Sequence, residues 1–261
     1  MSYETILYDV GNDGVATITL NRPDRLNAFN RMMGAEFRDV WATVKADHGV
    51  RAVVLRASDC PAFCTGVDVK EGGWTRPEDG PWDATDPGEV LGPKSNHVWK
   101  PVILATHGMV AGGAFYWLNE ADIILCSEDA QFFDPHVTFG MVAACEPIGA
   151  LARMPLGEVI RMTLLGNDER MSAQTALRIS LVTEVTPTRE ELWKRAHEIA
   201  SAIAAKPAAA IQGSVRAIWE ALDMPRHAAM TNALKYTQLG NPIGRAEVDR
   251  WSAPKATWRL R

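Results

Sequence analysis

The chain has 261 residues, 47% of them apolar and 23% charged, which is ordinary globular usage and enough to bury a sizeable core in one large domain or two small ones. A net charge of −5 argues against nucleic acid or an anionic membrane as the main partner, and an anionic ligand would need a local cluster of Lys and Arg. No apolar run approaches the ~20 residues of a membrane span, and the start MSYETILYDVGNDG lacks the basic-then-apolar pattern of a secretory signal.

The four cysteines, Cys60, Cys64, Cys126 and Cys145, form no CxxC and match no zinc spacing. Reduced thiols in a cytoplasm are the simplest expectation.

Along the chain, YETILYDVGNDGVATITL reads as two strands around the turn Gly11–Gly14. Val15, Thr17 and Thr19 alternate there with Ala16, Ile18 and Leu20, the period of a half-buried strand. Asn30 can cap a helix in which Met33, Phe37, Val40, Trp41 and Val44 recur at helical spacing. AVVLRA, VILAT and DIILC are short β-branched runs, hence buried strands, and their alternation with helices implies an α/β fold.

Between Lys70 and Trp99 the sequence turns dense in Gly, Pro and Asp. A long irregular segment of this kind is usually functional or mobile, and its Trp74 and Trp82 either anchor the loop or wall a pocket. From about Thr188 onward only helices are read, restarted at Pro207 and Pro225. This region (191–261) is expected to form a helical extension on a core of residues 1–190, packing on that core or on another subunit. Its apolar positions include Leu192, Ile199, Ile203, Ile211, Val215, Ile218, Trp219 and Leu222.

Two segments suggest a site. In VAGGAFYWLNEADIILC, Gly112 and Gly113 follow a strand and open a helix, whose first N–H groups are unpaired and partly positive. Glycine lets a ligand oxygen approach that backbone closely, so the helix start can hold an anion or oxyanion; alternatively the pair only permits tight helix–strand packing. In AFCTGVDVKE a strand leads into a tight Gly turn followed by an acid and Lys70.

Together with NRPDRLNAFN, these segments in this order and spacing resemble the enoyl-CoA hydratase/isomerase (crotonase) family, and DERMSAQTALRISLVTEV is similar to a further segment of it. The resemblance runs from about Thr5 to the C-terminus. It implies a spiral of ββα turns with a C-terminal helical trimerisation region, assembled as trimers or dimers of trimers. It implies an acyl-coenzyme A thioester as substrate, with coenzyme A part of that substrate and no tightly bound cofactor.

Carried over residue by residue, the resemblance puts the oxyanion donors at Val67 N–H and Gly113 N–H. Coenzyme A would lie along Ala28, Thr65, Gly66, Asp68 and Val69, with its phosphates near Arg25 or Lys70, although exposed Arg and Lys are most often merely solvated. Two such donors aimed at a thioester oxygen stabilise an enolate.

The pattern breaks where a hydratase of this family carries two glutamates. Tyr116 stands at the first position and His136, in SEDAQFFDPH, at the second. Tyrosine is a poor base, with an ordinary pKa of about 10, whereas histidine exchanges protons near neutrality. A Pro-His pair also resembles the β-diketone hydrolase branch, where the histidine works with an acid downstream. Glu146 is the nearest candidate, one residue out of that spacing, and could otherwise be a helix-starting acid. His136 itself could be structural. Cys145 reads as a small buried thiol, with a nucleophile as the alternative, and Cys64 reads as packing.

Three readings therefore remain open. One is an acyl-CoA lyase or isomerase working through an enolate. The second is a cyclic-diketone hydrolase that needs no coenzyme A. The third is a non-catalytic CoA-binding paralogue.

Overall fold

The computed structural model describes residues 3–75, 80, 82–83, 85–248 and 258–260. Part of the Gly/Pro/Asp-rich segment (76–79, 81, 84) and part of the C-terminal region (249–257, 261) lie outside the described residues.

In chain order, strands β1 (Ile6–Val10) and β2 (Val15–Leu20) form an antiparallel hairpin around the expected turn. Helix α1 (Arg31–Ala46) follows, capped by the Asn30 side chain, which accepts from Met33 N–H at 2.9 Å. Strands β3 (Ala52–Ala57) and β4 (Ala62–Cys64) come next, then the one-turn helix α2 (Gly88–Leu91) inside the irregular segment. Strands β5 (Val102–Thr106) and β6 (Met109–Ala111) lead to α3 (Phe115–Glu120). Strands β7 (Ile123–Ser127) and β8 (Gln131–Phe133) lead to α4 (Cys145–Ala150) and α5 (Leu156–Leu165). After β9 (Met171–Ser172), α6 (Ala173–Arg178) and β10 (Glu184–Thr186) come α7 (Arg189–Ala204), α8 (Ala208–Ala221) and α9 (Arg226–Ala246).

From β3 to β8, successive turns each send one strand to each of two sheets. The larger runs β1-β2-β3-β5-β7-β10 and the smaller β4-β6-β8-β9. All neighbours are parallel except β1–β2 and β8–β9. This is the ββα spiral that the resemblance implied.

One face of the larger sheet, the smaller sheet and the helices from α1 to α6 enclose the main core, centred on Phe29, Phe37, Trp41, Phe63, Phe115 and Trp117. Phe29, Phe37 and Phe63 meet Trp117 at ring distances of 5.9, 5.1 and 6.1 Å, so these aromatics lock as a unit.

One expectation needs revision. Strand β2 is buried on both faces, not one: it is internal, and Val15 packs in a second cluster beneath α7. The helical extension divides. Helix α7 belongs to the core, because Leu192, Ala196, Ala200 and Ala204 recur every four residues as a low ridge that lies flat on Ala52, Val54, Ile103 and Leu125. Helices α8 and α9 form a hairpin with Gly213 against Tyr236 and Gly240 against Ala209. The Trp219 indole N–H ties α8 to the core by donating to Asp122 at 2.7 Å. No residue of α8 is buried. Among the described residues no helix is long and apolar enough to cross a membrane.

Candidate functional site

Three chain segments converge where the two sheets part. The NRPDR segment forms a 3-10 turn (Pro23–Arg25) and returns so that Phe29 bridges the loop after β4. Phe29 N–H donates to Gly66 O at 2.9 Å, and Asp68 N–H donates to Phe29 O at 2.8 Å. Arg22 latches this junction by pairing with Asp68 at 3.0 Å and donating to Ala28 O at 2.6 Å. The Asp68 carboxylate is therefore occupied: it faces Arg22 and accepts from Lys70 N–H and Glu71 N–H at 3.1 and 3.3 Å, so its work is to hold this loop.

The donor pair forms where this loop meets the start of α3. Gly66 has φ +89°, a left-handed conformation, and a methyl group on it would stand 3.2 Å from Gly113 N. Only glycine brings the two turns this close. Neither Val67 N–H nor Gly113 N–H donates to a backbone carbonyl among the described residues, and Gly113 lies in the first turn of a helix, where intrahelical acceptors are absent. Two unpaired donors thus sit side by side.

They open onto a cavity of about 420 Å³. Every residue expected for the site lines it: Arg25, Ala28, Thr65, Gly66, Val67, Asp68, Val69, Lys70, Gly113, Tyr116, His136 and Glu146. Arg25 and Lys70 are exposed and make no ion pair among the described residues.

Trp74 both anchors and walls. Its indole N–H donates to Thr85 O at 3.0 Å, its ring lies edge-on to Phe29 at 6.0 Å, and it faces the cavity. Trp82, 94% exposed, does neither.

At the inner end, His136 sits beside the donors: a methyl group on Gly112 would lie 3.6 Å from its Cε1. The imidazole Nδ1 is 2.6 Å from Asp134 Oδ1, and Nε2 is 3.8 Å from Glu146 Oε1, too long for a direct hydrogen bond. The ring partner is therefore Asp134, two residues upstream, and not Glu146. Nothing in the residue spacing singled out Asp134, although it stands in plain view in Asp-Pro-His.

The hydrogen bond to Asp134 holds the His136 pKa above its ordinary value; burial opposes this, and the charges of Asp134 and Glu146 add to it. Burial raises the Glu146 carboxyl, with His136 working the other way. Tyr116 is pushed well above the usual phenol range by burial, by a hydrogen bond to Asp86 and by the charge of Glu146. It remains a phenol, a donor and not a base, and Asp86 is a second partner the sequence did not reveal.

Cys145 is exposed, not buried as expected, because α4 begins at the surface here; its thiol is nonetheless raised by burial and by Asp86 and Glu146, which disfavours a thiolate. Cys64 is buried, its thiol pushed up to about 12 by burial, and packs beneath Gly66 as expected.

Residues 10–241 match the enoyl-CoA hydratase/isomerase family. The chain is 30% identical over 244 residues to (E)-benzylidenesuccinyl-CoA hydratase of Thauera aromatica, covering 93% of this chain and 91% of that one. It is 28% identical over 242 residues to the mitochondrial Delta(3,5)-Delta(2,4)-dienoyl-CoA isomerase of Rattus norvegicus, covering 82% and 68%. Among solved structures, an enoyl-CoA hydratase/isomerase from Mycobacterium paratuberculosis is similar with a TM-score of 0.83 at 36% identity, covering 91% and 90%.

Proposed function

Since this chain belongs to the enoyl-CoA hydratase/isomerase family, we propose that it binds an acyl-coenzyme A thioester, stabilises its enolate with Val67 N–H and Gly113 N–H, and moves a proton on the acyl group through His136. The observation that carries this reading is the convergence, in one cavity, of two unpaired backbone donors with an imidazole bonded to Asp134. Preorganised donors of this kind lower the barrier only if a negative oxygen develops between them, as it does when a proton leaves the carbon beside a thioester carbonyl.

The reaction is then proton transfer next to that carbonyl, as in adding water across the adjacent double bond or migrating it. Tyr116 and the 3.8 Å gap between His136 and Glu146 set this site apart from a pair of glutamates on one water. Coenzyme A enters with the substrate, and no tightly held cofactor is needed. Reduced thiols fit a cytoplasmic setting, and all four cysteines are free.

The decisive experiment is turnover of matched enoyl-, dienoyl- and oxoacyl-CoA thioesters, with acetyl-CoA binding measured by calorimetry. Absence of any CoA binding would sink the proposal. Arg25→Glu is expected to weaken acetyl-CoA binding by the ~0.2–1 kcal/mol typical of an exposed ion pair, more at low salt than at high. An unchanged affinity at low salt would remove Arg25 from the phosphate site.

Self-association is the companion proposal. Ile218, Leu222, Met230, Leu234, Leu239 and Ile243, on α8, at its C-terminal end and on α9, are each at least half exposed, an apolar surface unusual for a monomer. Light scattering is expected to give a trimer or hexamer; a monomer at micromolar concentration would contradict it.

A further inference from the structure

We infer that Asp134 is the positioning residue of this site, holding the His136 imidazole as its Nδ1–H tautomer so that Nε2 alone exchanges a proton with the acyl group. The identity of that acyl group rests on the function proposed above; the state of the ring does not.

The geometry is contained in one turn. Asp134 Oδ1 lies 2.6 Å from His136 Nδ1 and also accepts the His136 backbone N–H at 3.0 Å. Pro135 between them has its φ restricted by its ring, at −83°, and leads straight into the 3-10 turn His136–Phe139. Strand β8 thus delivers base and orienter together, and nothing else has to move for the pair to form.

Asp134 is fully buried. Oδ1 already accepts the His136 backbone N–H, and as an acceptor in the 2.6 Å contact too it leaves that proton on the ring at Nδ1. Asp134 Oδ2 is buried with no hydrogen-bond partner among the described residues. Among the described residues no other side chain bonds this carboxylate, so His136 is its one partner.

The other face of the ring is uncommitted. Glu146, the second carboxylate facing His136, stays 3.8 Å from Nε2; the charge of Asp86 acts on Tyr116 and Glu146. Nε2 is therefore the nitrogen available to substrate. In the step itself, the C–H bond beside the thioester carbonyl breaks and its electron pair moves into the enolate, whose oxygen lies between the two backbone donors. Nε2–H forms, and the imidazolium charge is balanced by Asp134. Return of that proton completes the exchange, with no oxidant or reductant. The raised pKa of His136 agrees with this arrangement, since a carboxylate at Nδ1 stabilises the imidazolium.

Two measurements test it. In the unaltered protein, nitrogen NMR of the imidazoles, with His136→Ala to assign the signal among six histidines, should show neutral His136 protonated at Nδ1. A proton on Nε2 instead would overturn the inference, whether or not any thioester is turned over. In Asp134→Asn the amide oxygen can still accept from the ring, but the charge is gone. kcat is expected to fall about 10- to 100-fold, a share of the 10²–10⁴ that a general base contributes, with KM little changed. The acid limb of kcat/KM should move to lower pH. A fall in kcat with that limb unmoved would mean Asp134 only supports the fold. If Asp134→Asn does not fold, the NMR result decides. Turnover with the wrong tautomer would leave the enolate proposal standing and remove Asp134 from it.

Discussion

His136→Ala is expected to lower kcat on the best thioester substrate by about 10²–10⁴, the range for loss of a positioned acid–base group, while acetyl-CoA binding stays almost intact. The split follows from placement. His136 lies at the inner end of the cavity beside Gly112, whereas Arg25 and Lys70 lie on its exposed rim.

The pH dependence fixes the sign. As a proton acceptor His136 works only when neutral, so kcat/KM should rise with pH through a limb above the ordinary histidine value of about 6.5, because the bond to Asp134 raises that pKa. The limb should vanish in His136→Ala. An undiminished kcat would make His136 structural and turn attention to Glu146. The same shift bears on stability: the Asp134–His136 pair stabilises the fold fully below the unfolded histidine pKa and loses that contribution as pH rises through the raised folded value.

Gly113→Ala is the second large effect. The added methyl group would stand 2.6 Å from Phe29 Cε1 and 2.7 Å from Cζ, closer than real contacts allow, so the ring must shift. Phe29 is hydrogen-bonded to both neighbours of Val67, through Gly66 O and Asp68 N. The ring is also packed against Trp74, Tyr116 and Trp117, so it has little room to turn and strain is expected to reach the Gly113 and Val67 backbones. A kcat loss of about 10²–10³ is expected, the usual effect of removing one oxyanion donor, with a smaller change in coenzyme A affinity. Phe29→Leu in the same chain makes room for the methyl group and should restore part of the rate, since the two positions are in contact and couple. Unchanged kcat in Gly113→Ala would remove this N–H from the oxyanion site. A loss that Phe29→Leu leaves untouched would point to a cause other than the ring.

Local signals carried much of this protein. Asn30 caps α1 as its side-chain chemistry requires, the helical spacing of Met33, Phe37, Val40, Trp41 and Val44 is the buried face, and the β-branched runs are the internal strands β3, β5 and β7. Gly66 and Gly113 stand out in the sequence because close backbone approach tolerates no side chain, and both lie at the site.

What only the tertiary structure decided concerns contacts between segments distant in sequence, and the competition among side chains for the same partner. Leu192 reads as apolar like Ile218 and Leu222, yet only Leu192 meets the sheet; the others stay on the outer hairpin. Asp86 reaches Tyr116 from the irregular segment, a pairing no periodicity encodes. Glu146 has the right chemistry to hold the His136 ring, but it approaches from another helix and stops at 3.8 Å, while Asp134, carried on the same turn as the ring, is already at 2.6 Å. A short covalent tether costs less entropy to order than a contact between separate elements, and which of two carboxylates that tether favours is settled by the turn's geometry in three dimensions.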